Sequence, residues 1–273
     1  RRDAAVLAGS VEDALRAREI RAWFQPQIRV ASGTVSGVEA LARWHHPERG
    51  LLCPDAFLPA VEGAGRMNAL GQRILDEALT ALHAWDRSGL RVPSVSVNFS
   101  AGELRDPALA DHVRGALDRL DLPPARLTVE ILETVAAQGA DDAVIATIAG
   151  LRRHGVGLDL DDFGIGQASL SAIRRFRVSR IKIDRSFVLG LDDDAEQQAM
   201  VAAILSMAGH LGVETLAEGV ETEAVQAMLA RMGCDHVQGF HLARAMPREA
   251  AAQWLRAHAA GVAPAARPGR AAV

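Results

Sequence analysis

Cysteine is scarce in this chain of 273 residues, which contains only Cys53 and Cys234, far apart in sequence. They lack metal-ligand spacing, so the sequence predicts buried or idle thiols in a reducing compartment. No apolar run approaches about 18 residues, which excludes a membrane-spanning helix. A secretory signal peptide is also missing. We therefore expect a cytoplasmic protein, or the cytoplasmic portion of a larger one.

An excess of basic charge is absent as well, because 30 lysines and arginines face 34 acidic residues for a net charge of -4. This balance predicts no binding to a nucleic-acid polymer, so any nucleotide ligand must be held by local contacts. The 49% hydrophobic content can bury a sizeable core, and we favour one large α/β domain over two smaller ones. The first residue is arginine rather than methionine, which suggests a piece of a longer protein.

Strands alternate with amphipathic helices along most of the chain. Residues 1–21 read as a lead-in helix or the end of a linker, and residues 259–273 as a disordered tail rich in Ala, Gly, Pro and Arg. The predicted strands are 23–28, 34–41, 95–98, 127–130, 156–160, 180–184, 213–217 and 236–239, and the main predicted helices are 67–88, 107–120, 141–154, 196–211 and 221–232. The first two strands must pair antiparallel, because the link between them is too short for a parallel crossover. About eight strands in roughly 250 residues predict a closed (β/α)8 barrel.

The stretch 157–166 ends an apolar strand in two adjacent carboxylates, Asp161 and Asp162. Neighbouring carboxylates repel one another, so the pair stays ionised only beside positive charge, for which a hard divalent cation is the usual source. A helix N-cap or an Asx turn would also place Asp here. Gly164 and Gly166 can absorb changes in backbone conformation, so we expect the segment 162–169 to be mobile and to gate a second metal.

Polar side chains occupy or closely follow the last residues of most predicted strands. The carboxyl ends of barrel strands share one face, where barrel enzymes place their active sites, so these residues should converge. Five carboxylates and an asparagine carbonyl suit Mg²⁺ or Mn²⁺, and two ions would offset the negative charge that one lysine cannot. Such a site clamps an in-line phosphoryl displacement. The residues are Glu39, Asn98, Glu130, Asp161, Asp162, Lys182, Glu218 and Gln238.

Three other features offer weaker alternatives. The pair His45-His46 lacks a third metal ligand at suitable spacing and fits loop packing better. Gly63–Gly65 and Gly164–Gly166 complete no dinucleotide or phosphate-loop motif and are interpreted as turns. Glu133 follows a strand, where it is either a solvated acid at a helix start or a brace for the loop that carries Asp162.

These motifs, in this order, resemble the EAL-domain cyclic di-GMP phosphodiesterases over residues 24–247. The matching segments are Gln25-Pro26, Glu39–Leu41 with Arg43-Trp44, Val97–Ser100, Glu130 with Glu133, Asp161–Gly164, Lys182–Asp184, Ala217–Glu221 and Gln238-Gly239. The resemblance implies a (β/α)8 barrel with an antiparallel first strand, spanning residues 22–258, which hydrolyses cyclic di-GMP to linear pGpG with two Mg²⁺ or Mn²⁺ ions. It also implies a possible homodimer and an N-terminal sensory or signalling domain in the full-length protein.

The resemblance assigns roles residue by residue. It implies that Lys182 and Glu221 handle the attacking water and that Gln25, Arg43 and Gln238 seat the ligand. Glu133, from its position after a strand, is counted with the catalytic residues as a brace for the loop. The implied metal ligands are Glu39, Asn98, Glu130, Asp161, Asp162 and Glu218.

The departures from the family pattern are modest. Gln167–Ser169 stands where a Tyr-Ser-Ser run is usual, Ile165 replaces a Thr, and Phe240 replaces a Tyr in a chain without tyrosine. They concern loop closure or dimer contacts rather than metal ligation. Because the acids are complete, an enzyme is favoured over the alternative of a cyclic di-GMP-binding sensor with low or no activity. A purely structural scaffold is disfavoured, since burying so many carboxylates without a ligand is costly.

Overall fold

The computed structural model describes residues 7–137, 141–165 and 170–261. Its centre is a closed barrel of eight strands. Taken in order around the barrel, they are β1 Ile20–Arg29, β9 His236–Val237, β8 Glu214–Ala217, β7 Arg180–Ile183, β6 Gly157–Phe163, β5 Leu127–Leu132, β4 Val95–Asn98 and β2 Val35–His46. A pairing of β1 with β2 closes the barrel. Neighbouring strands from β4 to β9 run parallel, and β1 runs antiparallel to both β2 and β9. This confirms the predicted (β/α)8 barrel with an antiparallel first strand.

The strands lie inside a ring of helices. A short ninth strand, β3 Gly50–Leu52, pairs with β2 outside the barrel. The helices are α1 Val11–Arg16, α2 Pro54–Gly63, α3 Met67–Arg87, α4 Ala101–Leu104, α5 Leu109–Arg119, α6 Glu133–Ala137, α7 Asp142–Arg153, α8 Leu170–Phe176, α9 Ala195–Leu211, α10 Glu223–Met232 and α11 Arg248–Ala259, with 3₁₀ turns at Pro124–Arg126 and Arg185–Phe187.

The period-two pattern of the strands decides which side chains enter the barrel. In β6, Leu158 and Leu160 are fully buried against the surrounding helices, whereas Asp159 and Asp161 alternate with them and point inward. Strands β4 and β5 repeat the arrangement, with apolar residues facing outward. The large apolar core therefore lies between barrel and helices, and the barrel interior is polar, unlike the branched apolar layers that usually fill such barrels.

The second strand departs from the prediction. It was expected to end near Leu41, followed by a loop to Pro54, but β2 continues to His46 and pairs with the short strand β3. The extension is stabilised because β2 pairs with β1 as far as Trp44, which lies opposite Ile20, and its last two residues pair with β3. Glu39 consequently lies within the long strand rather than at its end, one residue before β2 last pairs with β4.

The chain ends also differ in detail from the prediction. The lead-in helix is shorter than expected, because Arg18 adopts a left-handed φ of 59° just before β1 starts at Ile20. Helix α11 reaches Ala259, one residue into the predicted tail, of which residues 262–273 lie outside the described part. In the described ranges, no helix combines the length and apolar character needed to cross a bilayer.

Candidate active site

Side chains from eight different strands meet at the C-terminal mouth of the barrel. Strands β4 to β9 are parallel, so the residues at their carboxyl ends share this face. Strand β2 is parallel to β4, and pairing of Gln25 with Glu39 brings β1 to the same level. The residues that converge here are Gln25, Glu39, Asn98, Glu130, Asp161, Asp162, Lys182, Glu218 and Gln238.

Lys182 occupies the centre of this cluster and is completely buried. Its Nζ lies 2.8 Å from Glu130 Oε2, 2.8 Å from Glu218 Oε1 and 3.0 Å from Asp161 Oδ1. Glu39 Oε1 is 3.6 Å away. A buried ammonium so close to four carboxylates offsets part of their mutual repulsion, but one positive charge cannot balance four acids.

Amide side chains fix the orientation of Glu39. Asn98 Nδ2 donates to Glu39 Oε1 at 2.9 Å, and Gln238 Nε2 donates to Glu39 Oε2 at 2.6 Å. Gln238 also donates to Gln25 Oε1 at 3.2 Å, and Gln25 in turn donates to the carbonyl of Ala243 at 3.0 Å. Both oxygens of a 4% exposed carboxylate are thus held in place.

A close backbone approach positions the loops that carry Glu218 and Gln238. The amide of Val220 donates to the carbonyl of Gln238 at 3.1 Å, and His241 N donates back to Val220 O at 3.0 Å. A Cβ on Gly239 would lie 2.1 Å from Val220 O, so no side chain can be accommodated there. Gly239 therefore brings the ends of β8 and β9 together.

The donor set and its spacing fit a hard divalent cation. One carboxylate oxygen from each of Asp161, Asp162 and Glu218 lies within 4.8 Å of the others. Glu130 Oε1 is buried and has no hydrogen-bond partner in the described ranges. A bound Mg²⁺ or Mn²⁺ would satisfy this buried acceptor, because oxygen ligands from several strands lie beside it.

Strain at Asp162 supports the same interpretation. Its φ of 54° is left-handed, which non-glycine residues seldom adopt, and its backbone amide donates to Asp161 Oδ1 at 3.0 Å. This conformation turns two successive carboxylates of β6 toward the mouth rather than to opposite faces of the strand. The N-cap and Asx-turn alternatives explain neither the strain nor the convergence with Glu218.

The local electrostatics favour the protonated forms of three carboxyls in the cluster by raising their pKa values. Burial, followed by the charge of Glu39, raises the pKa of Glu130 well above its usual range. Burial also raises the pKa of Glu218 to about 8, and burial together with the charge of Asp161 raises the pKa of Asp162 to about 6.

Glu39 and Lys182 are instead held in their charged forms. Burial raises the pKa of Glu39, but the Lys182 ammonium and the amide hydrogen bonds outweigh it, so the net pKa is lowered. Burial lowers the pKa of Lys182, but the surrounding acids, Asp161 first, outweigh it and raise that pKa well above its ordinary value. Lys182 is therefore a permanent cation at neutral pH.

Glu133 braces the loop that follows Asp162. It is 2% exposed at the start of α6, and its Oε2 accepts a hydrogen bond from Gly164 N at 2.9 Å. Gly164 has a φ of 104°, and a Cβ there would lie 2.6 Å from the Phe187 ring. This geometry agrees with the bracing alternative, not with a solvated acid. The gate predicted for 162–169 includes residues 166–169, which lie outside the described ranges.

Two residues of the predicted set stand apart. Arg43 continues the same face of β2 beyond Glu39, but the hydrogen bond described for it is from its Nη1 to the carbonyl of Ala42 at 2.8 Å. Glu221 is exposed in the segment between β8 and α10. In the described ranges, no hydrogen bond or ion pair joins either residue to the cluster, so their roles toward ligand and water stay predictions.

A second polar layer, not predicted from the sequence, lies directly below the cluster. Arg180 forms an ion pair with Asp159 and donates to Gln27 Oε1 at 3.0 Å, and these three residues are at most 7% exposed. The signal was available, because Asp159 and Arg180 each precede a predicted site residue, Asp161 and Lys182, by two positions and so face the same interior. This layer therefore supports the carboxylate cluster from below.

The comparisons with known proteins agree with this geometry. The protein described as "Bifunctional diguanylate cyclase/cyclic di-GMP phosphodiesterase MucR" from Pseudomonas aeruginosa is 40% identical over 243 residues, covering 89% of this chain and 35% of that protein. "Cyclic di-GMP phosphodiesterase NbdA" from the same organism is 35% identical, covering 93% of this chain and 32% of its own length. The chain thus spans about a third of these curated relatives.

A solved structure extends the likeness to three dimensions. The "PaMucR Phosphodiesterase, c-di-GMP complex" matches with a TM-score of 0.85 and 39% sequence identity, over 90% of this chain and 99% of that one. The family model described as "EAL domain" matches residues 8–245, which include every residue of the cluster. The chain therefore belongs to the EAL domain family.

Proposed function

We propose that this chain hydrolyses one phosphodiester bond of cyclic di-GMP to give linear pGpG, using Mg²⁺ or Mn²⁺. The observation that carries the proposal is the cluster of five carboxylates and Asn98 around buried Lys182 at the barrel mouth. Support comes from two relatives named as cyclic di-GMP phosphodiesterases and from a similar structure named as a complex with that nucleotide. A complete set of acids favours turnover over ligand sensing.

We assign metal binding to the oxygen-bearing side chains of the cluster. When bound, divalent cations lower the pKa of water and stabilise negative charge on phosphoryl oxygens. The carboxyls with raised pKa values would release their protons on binding, because a cation favours their charged forms. The proposed ligands are Glu39, Asn98, Glu130, Asp161, Asp162 and Glu218.

Lys182 positions the attacking water and supplies a positive charge, rather than acting as a general base. Its raised pKa means that the amine has no lone pair to accept a proton at neutral pH. Its ammonium can instead donate a hydrogen bond to the attacking water and offset charge that develops on the phosphoryl oxygens. Glu221 is proposed to orient that water, and Gln25, Arg43 and Gln238 to seat the substrate.

The direct test incubates the protein with cyclic di-GMP and Mg²⁺ and follows pGpG by chromatography, with Glu39→Ala as the inactive reference. We expect stoichiometric conversion to pGpG, none in excess EDTA, and recovery when Mn²⁺ replaces the chelated metal. Tight binding of cyclic di-GMP without product would instead assign the chain to the sensors. Turnover undiminished by EDTA would contradict the metal site itself.

We also propose a cellular location, an oligomeric state and a partner domain for the chain. The net charge of -4 is unsuited to a nucleic-acid polymer, so the proposed partner is the small nucleotide itself. We propose the cytoplasm as the place of the reaction. A homodimer is the proposed assembly, which sedimentation analysis of the purified protein would test. The upstream partner is proposed to be a sensory or signalling domain, in keeping with relatives about three times as long.

A further inference from the structure

A groove separates helices α7 and α8 on the outside of the barrel, with a volume of about 300 Å³. Its floor is apolar and includes Ile148 and Phe176, both at most 4% exposed. Four arginines surround this floor: Arg152, Arg153, Arg175 and Arg177. The volume is at the lower end of the range for small-molecule pockets, roughly 300–1,000 Å³.

The groove is unusual in its charge. It is lined by four guanidinium groups and by no carboxylate, in a protein whose net charge is -4. In the described ranges none of these four arginines forms an ion pair, whereas Arg105 near the other end of α7 pairs with Asp141 at 2.7 Å. Among the residues that the structure describes, no carboxylate therefore neutralises these four guanidinium groups by direct contact.

The groove lies at the end of the barrel opposite the active-site mouth. Helices α7 and α8 run antiparallel to the strands, and their final residues precede β6 and β7 by only a few positions. These C-terminal helix ends therefore border the N-terminal edge of the sheet. A ligand in the groove would not compete with a substrate at the mouth.

The hydrogen-bonding groups around the floor are almost entirely donors. Arg152 Nη1 donates to the carbonyl of Val156 at 3.0 Å and to Ser179 Oγ at 3.2 Å, while its buried Nε has no acceptor in the described ranges. The Arg175 guanidinium lies 5.7 Å from the centre of the Phe176 ring. Arg153, Arg175 and Arg177 are exposed and retain free N–H groups.

A favourable interaction with the helix dipoles explains some of these arginines, since cations near a helix C-terminus are stabilising. That effect is modest and falls off within the last turn, and it does not offset the mutual repulsion of four cations around one groove. A multivalent anion would offset it. Phosphate oxygens match the planar fork of arginine and accept several charge-assisted hydrogen bonds at once.

We propose that this groove is a second anion site that binds a phosphate group attached to a small or apolar body. Two sources share this chemistry, a free phosphorylated compound and the headgroup of an anionic phospholipid. The apolar floor accommodates the body in either case, and the arginines bind the phosphate. The proposal is independent of the chemistry at the barrel mouth.

The test compares the wild type with the groove variant Arg153→Gln/Arg175→Gln/Arg177→Asn. Asn is used at position 177 because Arg177 has a φ of 51°, which Asn tolerates well. The control variant Arg16→Gln/Arg114→Gln/Arg231→Gln removes the same charge from exposed helical positions elsewhere. Both keep the cluster at the mouth intact, so circular dichroism and hydrolysis of cyclic di-GMP serve as controls for folding.

Two binding assays in EDTA distinguish the sources. Calorimetry with inorganic pyrophosphate reports a free phosphate compound, and sedimentation with phosphatidylcholine vesicles containing about one third phosphatidylglycerol reports a lipid surface. One arginine near an anionic surface is worth about 1 kcal/mol, or fivefold, so we expect the groove variant to bind vesicles roughly 100-fold more weakly. For pyrophosphate we expect at least a tenfold loss, about 1.4 kcal/mol.

Each outcome decides the matter. Binding of pyrophosphate alone assigns a free phosphate compound, and binding of vesicles alone assigns a lipid, provided that the groove variant loses it and the control variant keeps it. Binding should also weaken as salt rises from low to physiological concentration. No binding of either probe to the wild type, or an equal loss in the control variant, overturns the proposal.

Discussion

Without a metal, the active-site carboxylates should make the folded protein less stable as the pH rises. Burial raises the pKa of Glu218 from 4.5 to about 8, so the folded state holds a proton that the unfolded state has already released. Stability from such a group is fully present below pH 4.5 and is lost as the pH rises through about 8. Asp162 acts in the same direction up to about pH 6, though half-exposed and therefore more weakly.

The size of the effect follows from the shift. One pKa unit corresponds to about 1.4 kcal/mol, so Glu218 alone should reduce the free energy of unfolding by on the order of 3 kcal/mol between pH 5 and pH 8. His236 opposes this in the lower part of the window, because burial and then Arg180 lower its pKa below 6.5. Its contribution rises as the pH passes through that region, so a variant is needed to isolate Glu218.

Urea unfolding in EDTA at several pH values between 5 and 8, for the wild type and for Glu218→Gln, measures this contribution. In Glu218→Gln, the fall in the free energy of unfolding with pH should be smaller than in the wild type by about 1 kcal/mol per pH unit. The control variant Glu62→Gln removes an exposed acid in α2 and should leave the wild-type slope unchanged. Saturating Mg²⁺ should stabilise the wild type most at high pH, where it competes with fewer protons. Equal slopes for the wild type and Glu218→Gln would refute the reasoning.

Four further outcomes are expected at the active site. Glu39→Ala should reduce turnover at least about 100-fold by removing a metal carboxylate, and near-normal activity would exclude that role. Glu133→Ala should lower kcat roughly tenfold or more with an unchanged circular dichroism spectrum, whereas an unaffected kcat would contradict a brace at Gly164. Ca²⁺ should inhibit in competition with Mg²⁺, because it prefers longer bonds and looser coordination, and full activity with Ca²⁺ would count against a compact site. Lys182→Met should lower kcat with little loss of metal affinity, and exchange of Mg²⁺ for Mn²⁺ should shift the apparent pKa in the pH profile of kcat. If that apparent pKa is the same with both metals but disappears from the profile of Lys182→Met, the lysine is the general base.

Much of the barrel could be predicted because its strands carry a strict period of two. Val95–Asn98 was predicted with the bounds that the structure gives it, since an apolar alternation with clear helices on both sides leaves little choice. Strand β3 could not be predicted in this way. Gly50–Leu52 has no periodicity of its own and forms only because β2 extends past the barrel and offers a free edge.

The convergence of the site residues was predictable from topology, but their contacts were not. Parallel strands in a barrel bring their carboxyl ends together whatever the details of packing, so Glu130, Asp161 and Lys182 had to meet. That the Lys182 ammonium lies within 3.0 Å of both acids depends on side-chain conformation and on the layer formed by Asp159 and Arg180 beneath. The period of two places Asp159 and Arg180 in the interior, but their ion pair joins two strands and is a contact that this local pattern does not encode.

The polar interior of the barrel contributes directly to the predicted affinity of the site for metal. Arg180 and Asp159 form a buried pair whose charges nearly cancel, but one layer higher Lys182 faces four acids, and the excess is negative. A buried excess of charge is costly, and the raised pKa values of Glu130 and Glu218 show that protons offset part of it. A divalent cation would offset the same excess while leaving every carboxylate ionised. The instability of the metal-free mouth is thus the same property that gives it affinity for metal, and a substitution that stabilises the empty protein at high pH should weaken metal binding.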